Sequence, residues 1–396
     1  MNKKVLITAI IASFMGNTFC FTPCSYARTT RKQQKEASYM KLAQAEIENQ
    51  QYNLAVEYYT KVISINPDNS EAYAKRGNAK NLMGLYKDAI EDYTKALEID
   101  PNRENAYYNR AIAKTNLSAY DEVLEDYTKE LELNPQNINA YLNRGTTEVL
   151  LEKYEEAIDD FTKAISLDKN NENAYYNRGL TKRNNQDYKG AVEDYTKVIE
   201  LNPKNIDAYL NRGVAKYYLK DYNGAIKDYT KVIELNKNFK KAYYNRGLAY
   251  LGLKKYEDAI EDFTQEILLN PNNDAAYYDR ALAQSKLEMY NSAIEDYTKA
   301  IELNPKNAEY YSGRGALISK TNGDLKKAEE DLTTAIKLDE NDSEKYLTRA
   351  IIYCKEKLYL AAVDDLNILL NLDYNNSQAK ELRSFAIRSL SVEQKK

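Results

Sequence analysis

Residues 71–101 read EAYAKRGNAKNLMGLYKDAIEDYTKALEIDP. Apolar side chains recur at helical spacing on two segments of this stretch, and Gly84 and Pro101 follow those segments. Because that spacing places the apolar groups on one face of a helix, we predict a first helix over residues 71–83 and a second over residues 86–99. The stretch therefore describes two amphipathic helices and two turns.

The same string recurs at a fixed period along the chain. A tyrosine opens each copy, and the step between these ladder tyrosines is 34 residues until the last one, where it is 35. The ladder tyrosines are Tyr39, Tyr73, Tyr107, Tyr141, Tyr175, Tyr209, Tyr243, Tyr277, Tyr311 and Tyr346. Such a period indicates stacked supersecondary units rather than several globular domains, so we predict ten units.

The repeated string resembles the tetratricopeptide repeat family, whose unit has the same length, helix-turn-helix layout, small residues and closing proline. In the copy quoted above the matching slots hold Tyr73, Tyr86, Ala89, Tyr93 and Pro101. The resemblance covers residues 36–376 and implies an all-α fold, a right-handed α-solenoid superhelix of about ten hairpins. Residues 377–391 continue at helical spacing with one charged face, which predicts a capping helix before a tail over residues 392–396.

The first 27 residues differ from the rest. Lys3 and Lys4 precede an apolar run over residues 5–15, and small residues up to Ala27 provide a cleavage point, a pattern typical of a secretory signal peptide. We predict an exported protein, periplasmic or secreted, that begins near Arg28, with a short linker over residues 28–35. The alternatives are a signal that stays uncleaved as a membrane anchor and a lipoprotein, and only through them would the chain meet a membrane.

Composition excludes several function classes. The chain has no His and no Cys cluster or Gly-rich phosphate loop, so we predict no catalytic residues, no metal site and no cofactor. After signal removal only Cys354 remains, which excludes an internal disulfide. The formal net charge is −4 for the full chain, and this acidic balance argues against nucleic acid as a partner.

Paired charges recur with the repeat. An Arg follows nine of the ladder tyrosines by three residues, and an Asp stands at a fixed slot of the second helix. The pairs are Arg76 with Asp92, Arg110 with Asp126, Arg144 with Asp160, Arg178 with Asp194, Arg212 with Asp228, Arg246 with Asp262, Arg280 with Asp296, Arg314 with Asp331, and Arg349 with Asp365. The first unit has Leu42 and Tyr58 instead, and this joint replacement indicates that the two slots touch. We interpret the pairs as structural salt bridges, the alternative being an anion-binding track along the Arg residues.

Other recurring residues have structural interpretations. A Glu precedes a Lys by four residues on several second helices, as with Glu91 and Lys95, which predicts a solvated helix face. The ladder tyrosines are predicted to fill space between hairpins rather than to form a stacking platform. Glu130 and Glu266 occupy a slot that other units fill with Ala or Val, and nothing in the sequence accounts for them.

The resemblance implies that partners bind on the inner, concave face, formed by the first, second and fifth positions after each ladder tyrosine. We name these positions the first-helix face. Its candidate peptide-binding residues are Tyr108, Asn109, Asn143, Tyr176, Asn177, Leu180, Asn211, Val214, Tyr244, Asn245, Leu248 and Tyr278. Asn stands at the second position in five consecutive units, where its amide could both donate to and accept from a peptide backbone. The competing interpretations are that Asn is common at this slot in the family and that the apolar residues are partly buried between adjacent first helices.

Two functions follow from these patterns. The first is a non-catalytic scaffold that holds an extended peptide or a partner helix, of unknown identity, on the first-helix face. The second is a structural assembly subunit that acts through its convex surface and holds no peptide.

Overall fold

The computed structural model describes residues 23–321 and 323–393, except for the side chains of residues 23–30 and Glu393. Within these ranges the chain forms 21 helices and no strand, which confirms the all-α solenoid class predicted from the repeat.

The first helices of the repeats are α1 (Pro23–Glu48), α3 (Ser70–Leu82), α5 (Ala106–Asn116), α7 (Ile138–Leu150), α9 (Glu172–Asn184), α11 (Ile206–Tyr218), α13 (Lys240–Gly252), α15 (Asp274–Lys286), α17 (Ala308–Lys320) and α19 (Ser343–Lys355). The second helices are α2 (Tyr52–Ile65), α4 (Tyr86–Ile99), α6 (Tyr120–Leu133), α8 (Tyr154–Leu167), α10 (Tyr188–Leu201), α12 (Tyr222–Leu235), α14 (Tyr256–Leu269), α16 (Tyr290–Leu303), α18 (Leu325–Leu338) and α20 (Tyr359–Leu372). The last helix, α21, spans Ser377–Glu393 and packs on α20.

The chain divides into two compact units, Met1–Thr181 and Lys182–Lys396, and the boundary falls within α9. In the first unit the hairpins run from α1/α2 to α7/α8, each packing on the next. In the second unit they run from α11/α12 to α19/α20, with α21 covering the end.

Turn chemistry explains where the helices start and stop. Asn205 precedes α11, and its side-chain oxygen accepts a hydrogen bond from the Ala208 amide at 2.9 Å, as an N-cap does. After α11, Lys220 has a positive φ of 61°, and the Asp221 amide donates back to the Lys216 carbonyl at 2.9 Å. Gly84 provides this left-handed residue in the second repeat, with φ 76°.

The core of most hairpins is an aromatic ring of the second helix against a small residue of the first, and Leu332 and Leu366 take the place of the ring in α18 and α20. Tyr93, for example, is 1% exposed, and a Cβ added to Gly77 would lie 2.8 Å from its ring. Gly247 has the same relation to Phe263 at 2.7 Å. A mid-helix Gly costs about 1 kcal/mol relative to Ala, and the close crossing that it permits explains why it is tolerated.

Several segment boundaries differ from the sequence-based predictions. Residues 28–35, predicted as a linker, lie within α1, because no proline or glycine interrupts the helix after Pro23. The capping helix continues past residue 391 and includes Glu393, the last described residue. The predicted signal peptide lies outside the described residues up to residue 22. In the ranges that the structure describes, none of the helices is both long and apolar enough to span a bilayer.

Exposed Lys residues of the second helices pair with a Glu that follows them in the sequence, whereas the prediction paired them with the Glu that precedes them. Lys95 lies 3.0 Å from Glu98, three residues after it, rather than pairing with Glu91. Lys299 and Glu302 repeat this arrangement at 2.9 Å. Both acids lie within one helical turn of the Lys on the same exposed face, so either choice keeps the face solvated.

Candidate binding face on the first helices

Arg and Asp of the same hairpin form bidentate ion pairs. In the hairpin α11/α12, Nε and Nη2 of Arg212 lie 2.9 and 2.6 Å from the two carboxylate oxygens of Asp228. The same pairing, with Nη2–Oδ1 distances of 2.6 to 2.7 Å, joins Arg76 with Asp92, Arg110 with Asp126, Arg144 with Asp160, Arg246 with Asp262, Arg280 with Asp296, Arg314 with Asp331, and Arg349 with Asp365. Arg178 lies in the compact unit Met1–Thr181 and Asp194 in the compact unit Lys182–Lys396, so their pairing stays a prediction.

The Asp residues of these pairs lie beneath the surface of the hairpins. Asp92, Asp331 and Asp365 are 4%, 5% and 4% exposed, and Arg76, Arg314 and Arg349 donate to both oxygens of their respective carboxylates. Burial to a similar depth is shared by Asp126, Asp160, Asp194, Asp228, Asp262 and Asp296. Structural salt bridges between the two helices of a hairpin predict buried carboxylates at this slot, and the burial agrees with that interpretation. These carboxylates are closed to solvent, so they belong to the hairpin interior and not to a surface that a partner could contact directly.

Each Arg also reaches a threonine of the preceding repeat. Nη1 of Arg212 donates to Oγ1 of Thr196 at 3.0 Å, and Arg246 donates to Thr230 in the same way. The sequence analysis missed this bond, although a Thr precedes every ladder Arg by 16 residues. Because Asp and Thr together occupy three guanidinium nitrogens, the geometry favours the structural interpretation over an anion track.

A second cation joins the carboxylate in some hairpins. Lys216 Nζ lies 2.7 Å from Asp228, and Lys114 Nζ lies 3.0 Å from Asp126. At the same slot of the fourth repeat stands Glu148, which is 8% exposed and has an Oε2 without a hydrogen-bond partner in the described ranges. Burial, reinforced by the nearby charge of Asp160, raises the pKa of Glu148 to about 7.

In the compact unit Met1–Thr181, residues of the first-helix face bond to one another. The Asn143 amide donates to the hydroxyl of Tyr108 at 3.0 Å, and the ring of Tyr108 packs 5.9 Å from that of Tyr127. The Asn109 amide donates to Asn78 Oδ1 at 3.0 Å. These side chains are half-buried, so adjacent first helices share part of the face, as the competing interpretation expected.

In the compact unit Lys182–Lys396 the tyrosines of the face pack on neighbouring aromatic rings. The ring centroid of Tyr244 lies 5.8 Å from that of Phe263. The ring centroid of Tyr278 lies 5.8 Å from that of Tyr297 and 5.1 Å from that of Tyr310. The other predicted residues of this unit's face, Asn211, Val214, Asn245 and Leu248, are half-buried like the two tyrosines. The same holds for Tyr176, Asn177 and Leu180 in the first unit. The face is thus partly open along both units.

The five Asn amides have different surroundings. Asn109 and Asn143 bond within the face, and Asn211 donates to the Asp207 carbonyl of its own helix at 2.9 Å. Within the described parts of the chain, the amides of Asn177 and Asn245 make no hydrogen bond. Only these two amides are therefore free to bind a peptide backbone.

Asp279 extends the Asn series, and the sequence analysis missed it. It stands at the second position after its ladder tyrosine, in the repeat after Asn245. Its Oδ2 accepts a hydrogen bond from the Tyr244 hydroxyl at 2.8 Å. Burial raises the pKa of Asp279 to about 6, although the bond from Tyr244 opposes the rise. The substitution of one Asp in a series of Asn was the signal in the sequence.

Glu130 and Glu266 support the caps of the following first helices. Glu130 is 2% exposed, and its Oε1 accepts a bond at 2.9 Å from the amide of Asn137, whose own oxygen caps α7. Glu266 makes the same bond with Asn273, the cap of α15. Several other repeats that hold Ala or Val at this slot also have an Asn seven residues later, so the sequence alone did not single out this contact.

Comparisons with known proteins agree with this architecture. The family model described as tetratricopeptide repeat matches residues 36–69, 70–103, 172–205, 206–239, 241–273, 275–307 and 308–342, and a TPR repeat model matches residues 146–186. The matched segments together cover more than half of the chain. The chain belongs to the tetratricopeptide repeat family. Tetratricopeptide repeats indicate a protein–protein interaction scaffold, and proteins of this family bind protein or peptide partners and are generally not catalysts.

Solved structures of tetratricopeptide repeat proteins align with parts of the chain. MamA from Desulfovibrio magneticus RS-1 is 26% identical, covering 42% of this chain and 95% of its own, with a TM-score of 0.41. YrrB, described as a TPR protein with an unusual peptide-binding site, is 24% identical, covering 46% and 94%, with a TM-score of 0.42. A tetratricopeptide repeat protein from Parabacteroides merdae is 20% identical, covering 63% and 99%, with a TM-score of 0.45. A search of curated proteins found no match.

Proposed function

We propose that the chain is a non-catalytic adaptor that holds an extended peptide on its first-helix face. The observation that carries this proposal is the Asn245 amide, which is half-buried and makes no hydrogen bond in the described ranges. An amide that makes no internal hydrogen bond can bind a ligand without breaking a contact of the fold. A peptide backbone offers the donor and acceptor that an Asn amide needs.

The surroundings of Asn245 suit a peptide. Tyr244 and Leu248 lie on the same helix and pack on the core of their hairpin, which leaves a half-buried apolar surface beside the amide. A cleft of about 520 Å³ opens next to Tyr244 and Asn245, and the turn before α15 forms its other wall. Apolar side-chain sites beside a backbone-binding amide are the elements that recognise an extended chain.

We expect Asn245→Ala to weaken peptide binding about tenfold without lowering stability, since the amide has no internal bond to lose. The probe is a peptide of about twelve residues, selected by display on the wild-type protein and measured by fluorescence anisotropy. Substituting Tyr244 by Ala would be a poorer test, because Tyr244 also packs on Phe263 and bonds Asp279.

The control is Lys299→Ala on the exposed face of α16, where the Lys pairs with the exposed Glu302. Unchanged affinity for Asn245→Ala, or a loss of the same size for Lys299→Ala, would contradict the peptide site. If no peptide is selected, the result would favour the alternative, a structural assembly subunit that acts through its convex surface and holds no peptide.

We further propose that the protein is exported and works in the cell envelope or outside the cell. The support is the signal-like pattern of the first 27 residues, with Lys3 and Lys4 before an apolar run. Amino-terminal sequencing of the native protein should find a start near Arg28. If most of the protein begins at Met1, the signal is not cleaved, and the protein is either anchored in the membrane or not exported.

A further inference from the structure

Asp279 differs in charge from the five residues that precede it at the same slot. Asn109, Asn143, Asn177, Asn211 and Asn245 occupy that slot in consecutive repeats. Asp and Asn have nearly the same shape, so the backbone of α15 places the side chain as its predecessors are placed. What changes is a negative charge on the first-helix face.

The carboxylate of Asp279 lies among phenol groups. It accepts the hydrogen bond from Tyr244, and Tyr278 lies next to it on α15. Burial raises the pKa values of the Tyr217 and Tyr310 phenols, and the charge of Asp279 adds to both rises, although the Tyr310 hydroxyl itself donates to Asp274 at 2.8 Å. The Tyr244 hydroxyl gives the carboxylate one hydrogen bond, but a neutral phenol supplies no counter-charge.

No basic side chain compensates Asp279 either. In the described parts of the chain its carboxylate makes no ion pair. The neighbouring Arg280 pairs with Asp296 at 2.7 Å. By contrast, the more deeply buried Asp228 has both Arg212 and Lys216. Asp279 is thus a partly desolvated charge on the proposed peptide-binding face without a counter-ion.

We propose that Asp279 determines specificity by receiving the ammonium or guanidinium group of a Lys or Arg side chain of the bound peptide. The inference rests on the proposed function, because it assigns one side-chain site of the same peptide. The apolar stem of a Lys or Arg packs along aromatic rings such as Tyr244, while its charged end pairs with the carboxylate.

A metal ion fits the site less well than a basic side chain. Calcium and magnesium require several oxygen ligands, and Asp279 is a single carboxylate. Among the described residues, the one group of three or more acids that converges closely enough to share an ion is Glu309, Asp339 and Asp342. Those three already surround the ammonium of Lys345 at 2.9 to 3.1 Å.

The test compares peptides of about twelve residues, selected by display from a random library, on the wild-type protein and on Asp279→Asn. Asn is the residue of the five preceding repeats and can still accept the bond from Tyr244, so the variant should fold. We expect the wild-type protein to enrich Lys or Arg at one peptide position and Asp279→Asn to bind peptides without that enrichment. Asp258→Asn, an exposed change of equal charge at the start of α14, should keep the enrichment.

Affinity measurements then separate a charge contact from a change in shape. Replacing the enriched Lys by norleucine should weaken binding to the wild-type protein about tenfold and leave binding to Asp279→Asn unchanged. The wild-type preference for Lys should also fall as the pH is lowered through the pKa of about 6, because Asp279 then becomes neutral. Equal affinities for the Lys and norleucine peptides would overturn the inference while leaving the proposed function intact. If the wild-type protein selects no peptide at all, both are overturned.

Discussion

We expect Arg246→Ala to destabilise the second unit by on the order of 3 to 5 kcal/mol, because it leaves a buried carboxylate without a partner. Asp262 is 2% exposed, and burial raises its pKa even with Arg246 in place. The substitution removes both arms of the bidentate pair, at 2.8 and 2.7 Å, together with the bond to Thr230. Urea unfolding followed by circular dichroism measures the loss, and hydrogen exchange of α13 and α14 localises it.

The hairpin α11/α12 provides a matched comparison. Asp228 keeps Lys216 at 2.7 Å when Arg212 is removed, whereas Tyr250 stands at the corresponding slot beside Arg246. We therefore expect Arg212→Ala to cost less than Arg246→Ala. Equal losses would show that the main contribution of the Arg lies in its stem packing or its Thr bond rather than in the carboxylate.

Replacing both members of the pair should recover most of the loss, since an apolar pair of similar volume needs no desolvation. The Leu42 and Tyr58 of the first repeat are not suitable replacements: Leu42 is 41% exposed and Tyr58 stacks on Tyr39, so that slot is more open than the one around Asp262. Arg246→Met with Asp262→Leu fits a closed slot better. Strictly additive losses for Arg246→Ala and Asp262→Ala, with no recovery in the apolar double variant, would refute the bridge.

We expect Glu148→Lys to stabilise the first unit by about 3 kcal/mol at about pH 8. The pKa of Glu148 rises from 4.5 to about 7 on folding, so the folded state binds the proton more tightly than the unfolded state. Stability from this group is therefore present below the unfolded value and is lost as the pH rises through about 7. A Lys at this slot would instead meet Asp160, as Lys216 meets Asp228 at 2.7 Å.

Two further variants isolate the titration. Glu148→Gln removes the charge without adding a cation, so its advantage over the wild-type protein should be small near pH 4 and grow as the pH approaches about 8. Glu57→Gln, an exposed change on α2, should show no such trend. Urea melts at several pH values measure the difference. An advantage of Glu148→Gln that stays constant with pH would indicate a packing effect rather than a buried charge.

The fold of this protein was predictable because its determinants are local. The 34-residue step of the ladder tyrosines and the helical spacing within residues 71–101 specify hairpins through contacts between residues near in sequence. The helix Tyr86–Ile99 was predicted with its observed bounds. The slots of Arg212 and Asp228 were also visible, since the first repeat replaces both together.

Whether each side chain on the first-helix face is buried and hydrogen-bonded was decided only by tertiary structure. Asn143 and Asn245 occupy identical slots, yet Asn143 bonds Tyr108 of the preceding repeat and Asn245 has no bond in the described ranges. The burial of Glu148 and the isolation of Asp279 likewise depend on what the neighbouring helices place around them. Helical periodicity states which face a residue occupies, but desolvation and hydrogen bonding depend on atoms about one repeat away, whose identities change from copy to copy.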